Sequence, residues 1–276
     1  MHHVLLLLVS MGVAAFGTVI GAGGGFLFVP VLMFLYPHES PASVTFISLF
    51  SVLANALSAT AGYLRLRRVD VRSGLVFGAA TVVPAVIGVV LVREVSMAQF
   101  SPVFGCLLMA LGLGLIPEIR RRKGGRRPPP PEPKPGWTER HFVDVDGVEF
   151  RYAFSLRLGA IASVLVGFAS SFFGIGGGVI HVPFMTQVLR FPVRVATATS
   201  VFVLGISSLV GVVTHVIMGD VRLNIVRALV AAAGSVIGAQ IGARIARRLT
   251  GQYVLVVLLC ALFLVGLRLV LRVFQV

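Results

Sequence analysis

Carboxylates are scarce in this chain, and none lies inside its long apolar runs. Only ten of 276 residues are acidic (Glu39, Asp70, Glu94, Glu118, Glu132, Glu139, Asp144, Asp146, Glu149 and Asp220), and each falls in or beside a predicted loop. Cation carriers usually hold their ion with a carboxylate at membrane depth, so an anionic or neutral cargo is expected. Cysteine is almost absent as well. Cys106 and Cys260 sit within apolar runs, read as small buried hydrophobes, and belong to no CxxC or His/Cys pattern of a metal site. Nor is there the clustered Asp, His, Ser or Cys chemistry at one depth that a membrane-embedded enzyme needs, and no cofactor is expected. "MHHVLLLLVSMGVAAFG" lacks the Lys or Arg that precedes the apolar core of a secretory leader, so it reads as a retained helix.

What is present is apolar. Hydrophobic residues make up 57% of the chain against 12% charged, with a mean hydropathy of +0.97, well beyond a soluble domain. Charge-free runs at 43–64, 73–92, 95–117, 195–219, 228–243 and 249–267 approach or exceed the roughly 20 residues that span a bilayer as helix. The net charge of +14 could suggest a nucleic-acid binder, but Lys and Arg gathered in cytoplasmic loops of a membrane protein account for it, and no nucleic-acid partner is expected.

The chain is one unit written twice. "GAGGGFLFVP" at 21–30 aligns with "GIGGGVIHVP" at 174–183, "VTFIS" at 44–48 with "ATATS" at 196–200, "VDVR" at 69–72 with "GDVR" at 219–222, and Cys106 with Cys260. This gives membrane repeats at 1–117 and 155–276. Between them, 118–154 is a connector holding a basic run, a proline-rich extended stretch and an Asp146-Gly147 hairpin signal. The segment 26–36 would reach only about 16 Å as helix, too short to cross alone. It forms either a re-entrant hairpin with the helix before it, which inverts the second copy, or part of a broken crossing, which leaves the copies parallel. Equivalent loops swap their basic charge: Arg65, Arg67, Arg68 and Arg72 oppose only Arg222 and Arg227, while lone Arg93 opposes Arg244, Arg247 and Arg248. The expectation is an all-α, multi-pass protein of about eight membrane helices in two inverted repeats, with Gly-rich broken or re-entrant hairpins and a cytoplasmic central loop.

Four glycines in five positions break a helix, and amides freed within a bilayer must line a protein-buried cavity. Gly21, Gly23, Gly24 and Gly25 in one half, and Gly174, Gly176, Gly177 and Gly178 in the other, are candidates for an anion cradle. There the positive ends of the two following helices would meet near the midplane. Pro30 and Pro183 would extend the unwound stretch. Thr45, Ser48, Thr197, Thr199 and Ser200 offer neutral donors to an oxyanion, although capping or bonding to a helix carbonyl is an equally good account of them. His181 is the best candidate for a titrating group; His215, Asn55, Gln187 and Gln240 are the other polar groups at depth.

These residues, the doubled "GxGGG…VP" signature followed by "ATATS", resemble those of the TauE/SafE family of membrane permeases, the sulfite exporters, over nearly the whole chain. The resemblance implies transport of sulfite, thiosulfate or organosulfonates across the bacterial inner membrane, with a small anion and the lipid bilayer as partners, and it leaves a homo-oligomer open. Phe28 stands where the second copy has His181, so a mechanism needing a histidine in both halves does not fit this chain. Two other readings remain: a carrier of the same fold for a metal ion or neutral solute using His181 and His215, and a scaffold acting through the connector.

Overall fold

A computed structural model describes residues 2–20, 23–116, 135–246 and 251–271; Gly21 and the basic and proline-rich run of the connector, 117–134, lie outside them. The first repeat comprises α1 (His2–Ile20), α2 (Gly25–Leu35), α3 (Pro41–Arg65), α4 (Val71–Arg93) and α5 (Met97–Gly114). A hairpin of β1 (Thr138–Val143) and β2 (Glu149–Phe154) follows. The second repeat comprises α6 (Leu156–Phe173), α7 (Gly178–Gln187), α8 (Val193–Ile217), α9 (Val221–Ala246) and α10 (Gly251–Leu271). Among the described residues six helices, α3, α4, α5, α6, α8 and α9, are long and apolar enough to cross a membrane, while α1, α2 and α10 contribute shorter apolar runs.

Local chemistry sets the helix starts. Ser40, Asp70 and Ser155 cap α3, α4 and α6 by accepting from the amides of Ser43, Ser73 and Leu158, and Ser96 with Gln99 forms a capping box on α5. Helix faces turned outward carry large apolar side chains, such as Val83 and Ile87 on α4 and Ile161 and Leu165 on α6, which only lipid can cover. Cys106 and Cys260 belong to this outer surface rather than to the core, because an apolar residue on a membrane helix has two apolar environments to choose between. Pro30 and Pro183 also differ from expectation. Each lies within its short helix, which starts at the last glycine, so the unwound stretch ends sooner.

The contacts give the direction of each helix. Along α9, Gly234, Gly238 and Gly242 meet Leu7, Met11 and Ala15 of α1 in ascending order, so the two run parallel and pack closely on small residues. The matching pair repeats this, Gly159 and Gly167 of α6 lying against Phe77 and Thr81 of α4. Equivalent helices of the two halves run antiparallel. Phe46, Leu49 and Ala56 of α3 meet His215, Gly211 and Gly205 of α8 in descending order, and Gly105 and Gly112 of α5 do the same with Leu269 and Leu259 of α10. The repeats are therefore inverted. Ser43, Ser51 and Ser58 of α3 meet Asn224, Ser235 and Gln240 of α9 in ascending order, so α3 runs parallel to α9 and hence to α1, and α2 must return toward the side from which α1 set out.

The hairpin seals one face. Phe150 and Phe154 bury against Phe77, Phe191 and Val195, joining β2 to both repeats. The Tyr152 hydroxyl donates to Asp70 Oδ2 at 2.9 Å, Arg140 Nε approaches the same oxygen at 3.3 Å, and Arg68 pairs with Asp144 and Asp146. Burial, together with the Asp70 charge, pushes the Tyr152 phenol far above its usual range.

Candidate functional site

The two glycine breaks touch each other. Gly24 and Gly177, each the residue ahead of a short helix, hold positive φ values of 79° and 33°, a conformation that favours glycine. The first ring of α2 closes on the Gly24 carbonyl and that of α7 on the Gly177 carbonyl, so the leading amides of both helices face the break. Gly25 packs on the peptide of Ile175, where a Cβ would lie 2.7 Å from the carbonyl carbon, and Gly176 packs against Val52 and Leu204. The Ser48 hydroxyl clasps the far break by donating to the Gly174 carbonyl at 2.6 Å.

A small cavity opens beside the second break, with room for roughly one water-sized body. Thr81 of α4, Val166 and Ser170 of α6, Gly177 and His181 at α7, and Ser200, Val203, Leu204 and Ser207 of α8 line it. Ser170, His181, Ser200 and Ser207 are each at most 2% exposed. Ser170 Oγ, His181 Nδ1, Ser200 Oγ and Ser207 Oγ have no hydrogen-bond partner among the described residues. Leaving a buried polar group unsatisfied costs about 1–3 kcal/mol, so four around one cavity call for something to bond. His181 is steered by Ser163, whose Oγ lies 3.3 Å from Nε2, and by the edge of Phe77, leaving Nδ1 as the free ring nitrogen. No Asp, Glu, Lys or Arg lines the cavity.

A second small cavity lies beside the first break across Leu204, lined by Thr18, Gly23, Asn55, Ala56, Ala59, Tyr63, Val201 and Leu204. Asn55 Nδ2 donates to the Gly23 carbonyl at 3.3 Å, pinning the break to α3.

The expected residues are thus distributed unevenly. Gly177, His181 and Ser200 line one cavity and Gly23 the other; Gly24, Gly25, Gly174, Gly176 and Gly178 form the breaks. Thr45 donates to the Ala42 carbonyl and packs on Gly174. Thr199 Oγ1 accepts from the Asp70 amide, tying α8 to the start of α4, and Thr197 is half-buried and lines neither cavity. Ser170 and Ser207 were not singled out by the sequence. Ser207 follows Ser200 by seven residues, two helical turns, a spacing that marks the same face; Ser170 reaches the cavity only by tertiary packing.

A profile of the family described as "Sulfite exporter TauE/SafE" matches residues 6–269. The chain is 32% identical to "Probable membrane transporter protein YunE" of Bacillus subtilis (strain 168) over 84% of this chain and 85% of that one. It is 26% identical to another protein named a probable membrane transporter, from Methanocaldococcus jannaschii, over 76% of this chain and 71% of that one. No solved structure matches. The chain belongs to the TauE/SafE family of membrane transporters.

Proposed function

We propose that this TauE/SafE transporter exports a sulfur-containing anion, sulfite, thiosulfate or an organosulfonate, across the bacterial inner membrane by alternating access, with the hairpin face toward the cytoplasm. The cavity beside the second glycine break holds the anion in transit. The observation that carries this reading is the set of three buried, unpartnered hydroxyl donors, Ser170, Ser200 and Ser207, around a space that no charged side chain enters. Three sulfonyl or sulfite oxygens can each take one of these hydrogen bonds, and bonds to a charged partner are worth about 1.5–3 kcal/mol apiece. The α7 N-terminus adds partial positive charge beside Gly177. A lysine or arginine would add affinity but hinder release, whereas neutral donors let the anion leave. Its entry requires the halves to part at the glycine breaks, because the cavity is small when the breaks are in contact.

The direction and the sulfur chemistry follow the family's description as an exporter of sulfite. A metal cargo is less well supported, since no group of three or more His, Cys, Asp or Glu comes together among the described residues. Flux of labelled sulfite, thiosulfate and sulfoacetate in proteoliposomes tests the reading. Saturable flux with mutual competition is expected, reduced at least tenfold in His181→Ala. No saturable flux for any of the three rejects the cargo, and competition by divalent metals or neutral solutes instead of anions transfers the site to those ligands.

A further inference from the structure

At the face opposite the hairpin, a second histidine is buried with one ring nitrogen committed and the other free. His215, fully buried near the end of α8, sets Nδ1 2.8 Å from Asp220 Oδ2. A carboxylate only accepts, so Nδ1 carries the proton and the neutral ring presents Nε2 as a lone pair. Nε2 has no partner among the described residues. The other carboxylate oxygen, Asp220 Oδ1, takes Arg93 Nη1 at 3.1 Å, and Nη1 also donates to the Met218 carbonyl at 2.9 Å. With His215 neutral, Asp220 and Arg93 balance; with His215 protonated, the cluster carries one net positive charge. The other described side chains packed against it carry no charge. From α3 comes the edge of the Phe46 ring, from α6 the Ser171 hydroxyl against Gly211 one turn away, and the first described side chain of α9, Asn224, is occupied by Ser43.

Buried hydroxyls lie between this cluster and the proposed anion cavity. Between Ser207 and His215, Ser208 of α8 and Ser171 of α6 are buried with hydroxyls that have no partner among the described residues. The cluster also joins the two halves, since Arg93 ends α4 of the first repeat whereas His215 and Asp220 belong to the second.

We propose that His215 Nε2 is the proton-binding site of the transporter, so that one proton crosses with the anion and transit answers to the pH gradient as well as to the membrane potential. The inference rests on the anion reading of the cavity. Ser207 and His215 are eight positions apart, about 12 Å along the helix. At an effective dielectric constant of about 20, a proton on His215 strengthens anion binding roughly tenfold per unit of anion charge, and the bound anion raises proton affinity by the same factor.

Thiosulfate is the probe, because its charge is constant through the neutral range. In proteoliposomes, labelled thiosulfate exchange at equal pH on both sides reports the cargo site, and accumulation driven by a pH gradient, with a pH-sensitive dye inside, reports coupling. The wild type is expected to do both, and a protonophore to abolish accumulation only. His215→Gln, which keeps a hydrogen bond to Asp220 but takes up no proton, should retain exchange and lose accumulation and the dye signal. Asp220→Asn leaves Arg93 unbalanced beside the ring, and should move the accumulation profile to the acid side. Gradient-driven accumulation by His215→Gln, an unshifted Asp220→Asn profile, or wild-type exchange that ignores the gradient overturns the inference. Absence of exchange in the wild type defeats the anion reading, and this inference with it.

Discussion

Replacing Ser200 by alanine should make the empty protein more stable and the transporter worse. The Ser200 hydroxyl is buried and has no partner among the described residues, so the empty state carries its desolvation cost, about 1–3 kcal/mol, without a compensating bond. Alanine removes that cost, less whatever a cavity water already recovers. Bound anion reverses the sign, because one charge-assisted bond of about 1.5–3 kcal/mol is lost, equivalent to roughly 10- to 150-fold in affinity. Ser170→Ala and Ser207→Ala should behave alike. Ser48→Ala is the contrast: its hydroxyl bonds the Gly174 carbonyl, so its removal should destabilise the protein by about 1–3 kcal/mol with or without anion. Thermal unfolding in detergent, with and without thiosulfate, together with the half-saturation of flux, measures both quantities. Destabilisation of Ser200→Ala with unchanged half-saturation would refute the reasoning, since the hydroxyl would then be a structural group like Ser48.

Gly25→Ala should reach the membrane but lose most flux, because its Cβ would lie 2.7 Å from the Ile175 carbonyl carbon and the breaks could no longer close on each other; flux near wild type would show that this contact is not used. Acid should loosen the hairpin through Asp144. Burial raises its pKa, but the Val148 amide, the Arg68 guanidinium and the Asp146 amide together outweigh this and leave it below the usual carboxylate range. A depressed carboxyl stabilises the fold above its ordinary value and ceases to do so as pH falls through the folded one. Fluorescence of Trp137, the single tryptophan, which immediately precedes β1, should report an acid transition that Asp144→Asn lacks.

The fold was legible where the sequence repeats itself. Alignment of 21–30 with 174–183 located both breaks, and the exchange of basic charge between Arg93 and its counterparts Arg244, Arg247 and Arg248 announced an inversion that Phe46 meeting His215 makes geometric. The site was less legible, because the hydroxyl-rich segments hold residues of equal composition and different duty. Thr45, Ser48 and Thr199 bond backbone, whereas Ser200 two helical turns before Ser207 does not. What separates them is whether a neighbouring helix offers a carbonyl or an amide, and that is decided by packing between segments far apart in sequence.

The same distinction explains how a doubled chain can hold one site. In the first half Ser48 is spent on Gly174, Ser51 on the Ala231 carbonyl at 3.3 Å and on Ser235, and Asn55 on Gly23. Their counterparts one repeat later, Ser200, Val203 and Ser207, are either apolar or unpartnered. Phe28, 2% exposed, takes the position that His181 holds in the second half. The first half thus uses its polar groups to close on itself and on the opposing break, which gives a firm surface, and the second keeps its donors uncommitted. Duplication supplies two glycine breaks of opposite sense, which the proposed alternating access would use as hinges. On the proposed reading, divergence at Phe28 and His181 leaves the uncommitted polar groups on one side, so a single anion would not have to divide itself between two equivalent cradles.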